Sequence, residues 1–265
     1  MVTALDDPAF AEAALEIGAY GYIIKPFKPN EILINVANAL KRRKLEIQSR
    51  SYRQELERTV QARTKALRLA LKNVQRSVEG IIHAMALAIE TRDPYTAGHQ
   101  ARVTKLAMSI GKKLQLPSKQ IEGIRMAGMI HDVGKIAVPA EILSKPGGLS
   151  DIEFSLIKTH PTIGYHILKD IDFPYPVAQI VLQHHERLDG SGYPGGISRE
   201  EILVQAKIIA VADVVEAMAS HRPYRPSLGL EKALLEINDK KGILYDPEIA
   251  EICINLFKDN GFSFK

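Results

Sequence analysis

Five histidines and two aspartates in this chain stand where apolar or helix-ending residues would be expected, and each can bind a metal ion. His99 shares a helical face with Val103, Leu106 and Ile110. His131 and Asp132 interrupt the apolar end of the run Met126–Ile130. His160 stands at a helix end before Pro161, and His184 and His185 close another helix. Asp213 shares a stripe with Ala206, Ile209, Ala210 and Ala217. An unpartnered ionised carboxylate there would cost many kcal/mol, so Asp213 must meet a metal, a cation or several donors. Any one of these histidines alone reads as a hydrogen-bonded core residue; together the seven read as a ligand set. Neutral imidazole with carboxylate and no thiolate suits Mn, Fe or Zn rather than Ca or Mg. Seven donors are enough for two ions sharing Asp132. Such a pair fits phosphodiester hydrolysis: one ion makes hydroxide near neutral pH, and both hold phosphoryl oxygens.

The elements that must position these groups are helices. From Ile81 onward the chain reads as helices separated by Gly/Pro loops, roughly over 76–91, 96–114, 118–131, 150–159, 161–169, 175–185, 198–219, 229–239 and 246–258. Ser150-Asp151-Ile152-Glu153 is a capping box and fixes one helix start. No alternating pattern long enough for a strand appears in this stretch, so the expected fold is all-α.

His99, then His131-Asp132, then Asp213 resembles the ligand series of the HD phosphohydrolase superfamily. The stretch His184-His185-Glu186-Arg187-Leu188-Asp189-Gly190-Ser191-Gly192-Tyr193-Pro194 resembles the signature of its HD-GYP branch. Matching segments are Arg92-Asp93-Pro94-Tyr95-Thr96-Ala97-Gly98-His99, His131-Asp132-Val133-Gly134-Lys135-Ile136 and Arg222-Pro223-Tyr224-Arg225. The resemblance covers about 76–258. It implies an HD-type helical bundle hydrolysing cyclic di-GMP to linear pGpG or onward to GMP. One metal would be held by His99, His131, Asp132 and Asp213. The second would be held by His160 and His184, with Asp132 bridging and His185 as a further ligand or its neighbour. The ions implied are Fe or Mn, with Zn, Ni and Co as substitutes. Lys135 would steady phosphate or hydroxide charge, making Asp132 and Lys135 the catalytic pair. Arg222 and Arg225 would grip phosphate, where a planar fork suits two oxygens, and Tyr193 would line the substrate pocket. Some family members use a Glu one turn before the first His for a third metal. Tyr95 stands there in this chain, so two metals are expected.

The first 40 residues have a different texture. Ala9–Ile17 is helix-like, Ala19–Ile24 is strand-like, and Lys25-Pro26-Phe27 breaks it. This segment resembles the last third of a response-regulator receiver domain, without its phosphoacceptor Asp. Phosphotransfer by receiver chemistry is therefore not expected of it, and the segment reads as a piece of a longer protein, the alternative being a degenerate remnant. Residues 41–80 read as a helical linker with ten Lys/Arg against three Glu between Lys41 and Arg68. Leu67, Leu71, Val74, Val78, Ile81 and Met85 are spaced 4, 3, 4, 3, 4, an a/d seam. The expected arrangement is a parallel homodimer along 45–85, the alternative being a helix packed on its own chain's C-terminal domain over 81–265.

The remaining composition bounds the function. The chain has 265 residues, 46% hydrophobic and 25% charged, with a formal net charge of +4. It has no apolar run long enough for a membrane span and no signal-peptide pattern. One cysteine, Cys253, excludes an internal disulfide and a thiolate metal cage. These features point to the cytoplasm. No zinc finger, helix-turn-helix or aromatic-interleaved basic strip suggests nucleic acid. Two other readings share the site: a cyclic di-GMP sensor that engages diguanylate cyclases through the Gly-Tyr-Pro loop, and a hydrolase of another nucleotide. His83, His166 and His221 read as bystanders.

Overall fold

The computed structural model describes residues 1–4, 7–92, 98–145, 147–220, 228–259 and 261–264. It divides into two units, Met1–Gln75 and Arg76–Lys265. In the first, β1 (Val2–Thr3) pairs in parallel with β2 (Ile23–Ile24), Val2 opposite Ile23 and Thr3 opposite Ile24. Between them lies α1 (Pro8–Glu16), capped by the Asp7 carboxylate, which accepts from the Ala9 N–H. The strand expected over 19–24 is thus ordered as a pair only at its last two residues.

Helix α2 (Pro29–Arg92) runs for 64 residues through Gly80 without a break. The helical pattern that starts at Asn30 meets no Pro or Gly before Gly80, and the helix continues through that glycine, because nothing between Pro29 and Arg92 removes a backbone donor. From Leu45 to Ile81 the seam side chains are exposed, with Leu67, Leu71 and Val74 each more than 60% accessible. Its last turns differ. Ile82, Ala86 and Ile89 are buried, and Met85 packs against the core of the second unit. The packed-on-its-own-chain alternative therefore holds for the end of the helix, and Met85 leaves the seam.

The second unit is all-α, as expected. Helices α3 (His99–Lys113), α4 (Ser118–Ile130), α8 (Val177–Gln183) and α9 (Val204–Ala219) surround one core. Helix α3 packs on α4 and α9, while α10 (Leu230–Asp239) and α11 (Pro247–Lys258) close over α9. Val103, Leu106 and Ile110 come from one stripe of α3 and meet Ile124, Ile180, Ile208 and Ile209, all fully buried. Each such side chain contributes about 1.5–3 kcal/mol by leaving water. Cys253 lies in this core, its thiol pushed up to about 12 by burial, which makes it a packing group.

Two boundaries differ from the sequence reading. The helix expected over 198–219 begins at Val204. Gln183 intercepts the backbone there: its amide donates to the Glu201 carbonyl at 3.2 Å and its oxygen accepts from the Leu203 N–H at 2.8 Å. The stretch after Asp132, read as loop, forms a 3-10 turn (Val133–Ala137) and a short helix, α5 (Ala140–Leu143). The capping box is present, with Glu153 at the start of α6 (Asp151–Ile157).

Candidate metal centre

Each candidate donor sits at a helix end or on a helix face turned inward. His99 opens α3, and His131 ends α4 with Asp132 starting the 3-10 turn. His160 opens α7 (His160–Leu168), His184 ends α8, and Asp213 lies mid-α9. Helix ends suit this purpose, because an imidazole there can satisfy one nitrogen on a carbonyl that lacks an intrahelical partner. His131, His160 and His184 all do so. Their Nδ1 atoms bond the carbonyl three residues back, at Gly128, Ile157 and Val181, over 2.6–2.7 Å. Nδ1 is the donor, so Nε2 keeps its lone pair facing inward.

These Nε2 atoms and the two aspartates share one buried volume. Three groups have ligand atoms all within 4.8 Å of one another: His99, His131 and Asp213; His131, Asp132 and His184; His160, His184 and His185. The groups overlap at His131 and His184. Asp132 lies in the middle one, with Oδ1 3.4 Å from His160 Nε2 and Oδ2 3.6 Å from His131 Nε2. His160 and His184 Nε2 are 3.3 Å apart.

The electrostatics keep Asp132, His160, His184 and His185 competent to bind a cation. Burial holds His160 down at about 4 and His184 and His185 well below the usual imidazole range, so all three are neutral. Burial would raise Asp132, but Lys135, His131 and His160 outweigh it and hold the carboxylate ionised. Lys135 donates to Asp132 Oδ2 at 2.7 Å. His99 is opposite in character. Burial opposes its charge, yet Asp213 at 3.2 Å and Glu216 raise it to about 9.

The residues present fit a divalent pair. His131 Nε2 is buried without a hydrogen-bond partner, a position native structures rarely leave empty. The donors are imidazole and carboxylate, the set suited to Mn, Fe and Zn.

Glu216 escaped the sequence reading. It is 1% exposed and receives His99 Nδ1, Arg102 Nε at 2.6 Å and the Ser220 hydroxyl at 2.6 Å. Burial would raise its carboxyl, but the His99 bond leads the interactions that lower it to about 2. It lies one helical turn after Asp213 in an apolar run, which was the available signal. The Leu228 N–H donates to the Met218 carbonyl at 3.1 Å. Arg222, Tyr224 and Arg225, with His221 and Tyr95, lie outside the described residues.

The Gly-Tyr-Pro loop folds against the same centre. The Tyr193 ring stacks on His185 at 4.7 Å and meets His160 edge-on at 6.5 Å. Burial raises its phenol, which stays protonated. Glu186 holds the loop by accepting the Gly195 N–H at 2.7 Å. A Cβ at Gly192 would strike the Glu186 backbone, and one at Gly134 would strike the His160 carbonyl and come within 2.6 Å of the Gly164 nitrogen. Both glycines are therefore close-approach positions. His83 and His166 are exposed and belong to none of the donor groups.

Residues 83–249 match the family model described as HD domain, and the chain belongs to that family. It is 36% identical over 253 residues to the cyclic di-GMP phosphodiesterase response regulator RpfG of Xanthomonas campestris, covering 95% of this chain and 65% of that protein. A cyclic di-GMP phosphodiesterase of Thermotoga maritima is 35% identical over 261 residues, covering 98% and 71%. The chain thus spans less than two thirds of the Xanthomonas protein. A solved HDG"Y"P protein from Bdellovibrio bacteriovorus superposes with a TM-score of 0.52 at 20% identity, over 60% of this chain and 51% of that one. A cyclic GMP-AMP specific phosphodiesterase of Vibrio cholerae gives 0.52 at 18%, over 68% and 48%. At such identities these two report the fold alone.

Proposed function

We propose that this chain is a metal-dependent phosphodiesterase of the HD-GYP kind that hydrolyses cyclic di-GMP to linear pGpG or onward to GMP. The observation that carries the reading is the overlap of three donor triads at His131 and His184, with Asp132 between them. The names of the Xanthomonas and Thermotoga relatives support the substrate.

On this reading His99, His131, Asp132 and Asp213 hold one divalent ion, and His160, His184 and His185 hold the other, with Asp132 shared. Iron or manganese is the metal proposed. When bound, such ions lower the pKa of water toward neutrality and offset phosphoryl charge. The chain's own residues do the rest. Main-chain carbonyls aim three imidazoles, and Glu216 aims the fourth. Lys135 holds Asp132 and carries positive charge to the face where phosphate oxygens collect. Tyr193 walls the pocket beside His160 and His185. Arg222 and Arg225 complete the grip on phosphate.

We read residues 1–40 as the last elements of a receiver domain, 41–80 as a coiled-coil linker joining two copies in parallel, and 81–265 as the catalytic domain. A cytoplasmic output of two-component signalling follows, with diguanylate cyclases as candidate partners of the Gly-Tyr-Pro loop. Among the described residues no helix is long and apolar enough to cross a membrane.

The test is incubation of anaerobically purified, Mn- or Fe(II)-loaded protein with cyclic di-GMP, following pGpG and GMP by chromatography. Binding without turnover across several metals would replace the enzyme with a sensor. Turnover of cyclic GMP-AMP but not cyclic di-GMP would move the substrate.

A further inference from the structure

Lys158 caps the C-terminal end of α6, two residues before His160. Its ammonium lies 4.6 Å from the centre of the Phe154 ring and 5.8 Å from that of Tyr193. Tyr193 is the same ring that stacks on His185. The second trio of metal donors, an aromatic face and a cation therefore follow one another outward from the centre. The Glu153 carboxylate on the same helix is engaged elsewhere, with both oxygens 2.7 Å from Lys145 Nζ.

A cyclic dinucleotide carries two phosphodiester groups on one ring, so while one is cut the other must lie outside the ions. That second group remains a full anion throughout, and leaving it unmatched at a half-buried wall would weaken binding. Lys135 cannot serve it, because its ammonium is held at Asp132. We propose that Lys158 receives the phosphate that is not being cut, with Tyr193 as the aromatic wall between that subsite and the metal centre. Cation and ring together suit a nucleotide, whose phosphate meets the charge and whose sugar-base edge meets the ring. The inference rests on the cyclic dinucleotide reading above.

The experiment compares two phosphodiesters on the Mn-loaded full chain: cyclic di-GMP, with two phosphates, and bis(p-nitrophenyl) phosphate, with one. Lys158→Gln should raise KM for cyclic di-GMP about tenfold or more, the scale of a hydrogen bond to a charged group. It should leave kcat/KM for the one-phosphate ester within about twofold. Lys158→Arg should restore most of the loss. Wild-type KM for cyclic di-GMP should also climb more steeply with salt than that of Lys158→Gln. An equal loss on both esters, or an unchanged KM for cyclic di-GMP, overturns the assignment to Lys158 while the enzyme reading stands. Wild-type cleavage of the one-phosphate ester without cleavage of cyclic di-GMP overturns the substrate reading, and the subsite with it.

Discussion

Between Leu45 and Ile81 the long helix carries apolar side chains that stand in solvent, whereas the second unit carries imidazoles and carboxylates where solvent does not reach. Each region is mismatched with its surroundings in the opposite sense. The exposed stripe forfeits hydrophobic free energy in proportion to area, residue by residue. The buried cluster behaves as a set, because each polar group left unpartnered in an apolar interior carries a separate cost. On the proposed reading both mismatches are met from outside the chain, by a second helix in one case and cations in the other. They should fail differently: gradually along the stripe, all at once in the cluster.

The largest expected effect is in the cluster. Asp132→Ala should abolish hydrolysis and lower bound metal from about two ions per chain to less than one, since the shared ligand serves both. Elemental analysis of anaerobically purified protein reads this, and a variant that keeps both ions would break the set-like picture. On the stripe, Leu71→Lys with Val74→Lys sets like charges against each other across a parallel dimer. That should weaken dimerisation by about 3 kcal/mol, roughly a hundredfold in Kd by sedimentation equilibrium. A wild-type chain that sediments as a monomer at every concentration would remove the stripe from the comparison.

A smaller effect is expected one step out from the ligands. Glu216→Gln removes the charge of the acceptor that holds His99 Nδ1, and metal affinity should fall about 10–100-fold in chelator competition. An unchanged affinity would reduce Glu216 to a packing role. Two glycines set the same contrast in packing, and the exposed one gives the smallest effect. Gly134→Ala forces a methyl into the His160 carbonyl and should cost about 2–3 kcal/mol in thermal unfolding. Gly80→Ala, on the exposed helix with open space around it, should instead add up to about 1 kcal/mol. Equal responses at the two positions would contradict the contrast.

Much of this was readable from residue order because helix periodicity and buried polar groups are local signals. His99, His131, Asp132, His160, His184 and Asp213 stood out as polar groups on apolar faces, and the structure gathers them. Glu216 did not stand out, because a carboxylate one turn from Asp213 reads equally well as an exposed helix residue; only the approach of α3 across α9 buries it. Lys158 was hidden for a similar reason, since its relation to Tyr193 depends on a loop returning from beyond α8. The start of α9 was misplaced because Ser198–Glu201 has helical character of its own, and the interruption comes from Gln183, 18 residues away from Glu201. The early end of the seam was equally illegible: Met85 keeps the heptad spacing, but the core of the second unit claims it.

Three of the imidazoles are held by main-chain carbonyls three residues back, and those bonds do not need an ion. The donors therefore stand ready before any cation arrives, and capture requires no refolding step. In a pocket of this kind a chelator should remove the ion, and a different divalent ion replace it, while the protein stays folded. Which ion it carries in a given cell then becomes a matter of supply and exchange, decided after synthesis rather than during it.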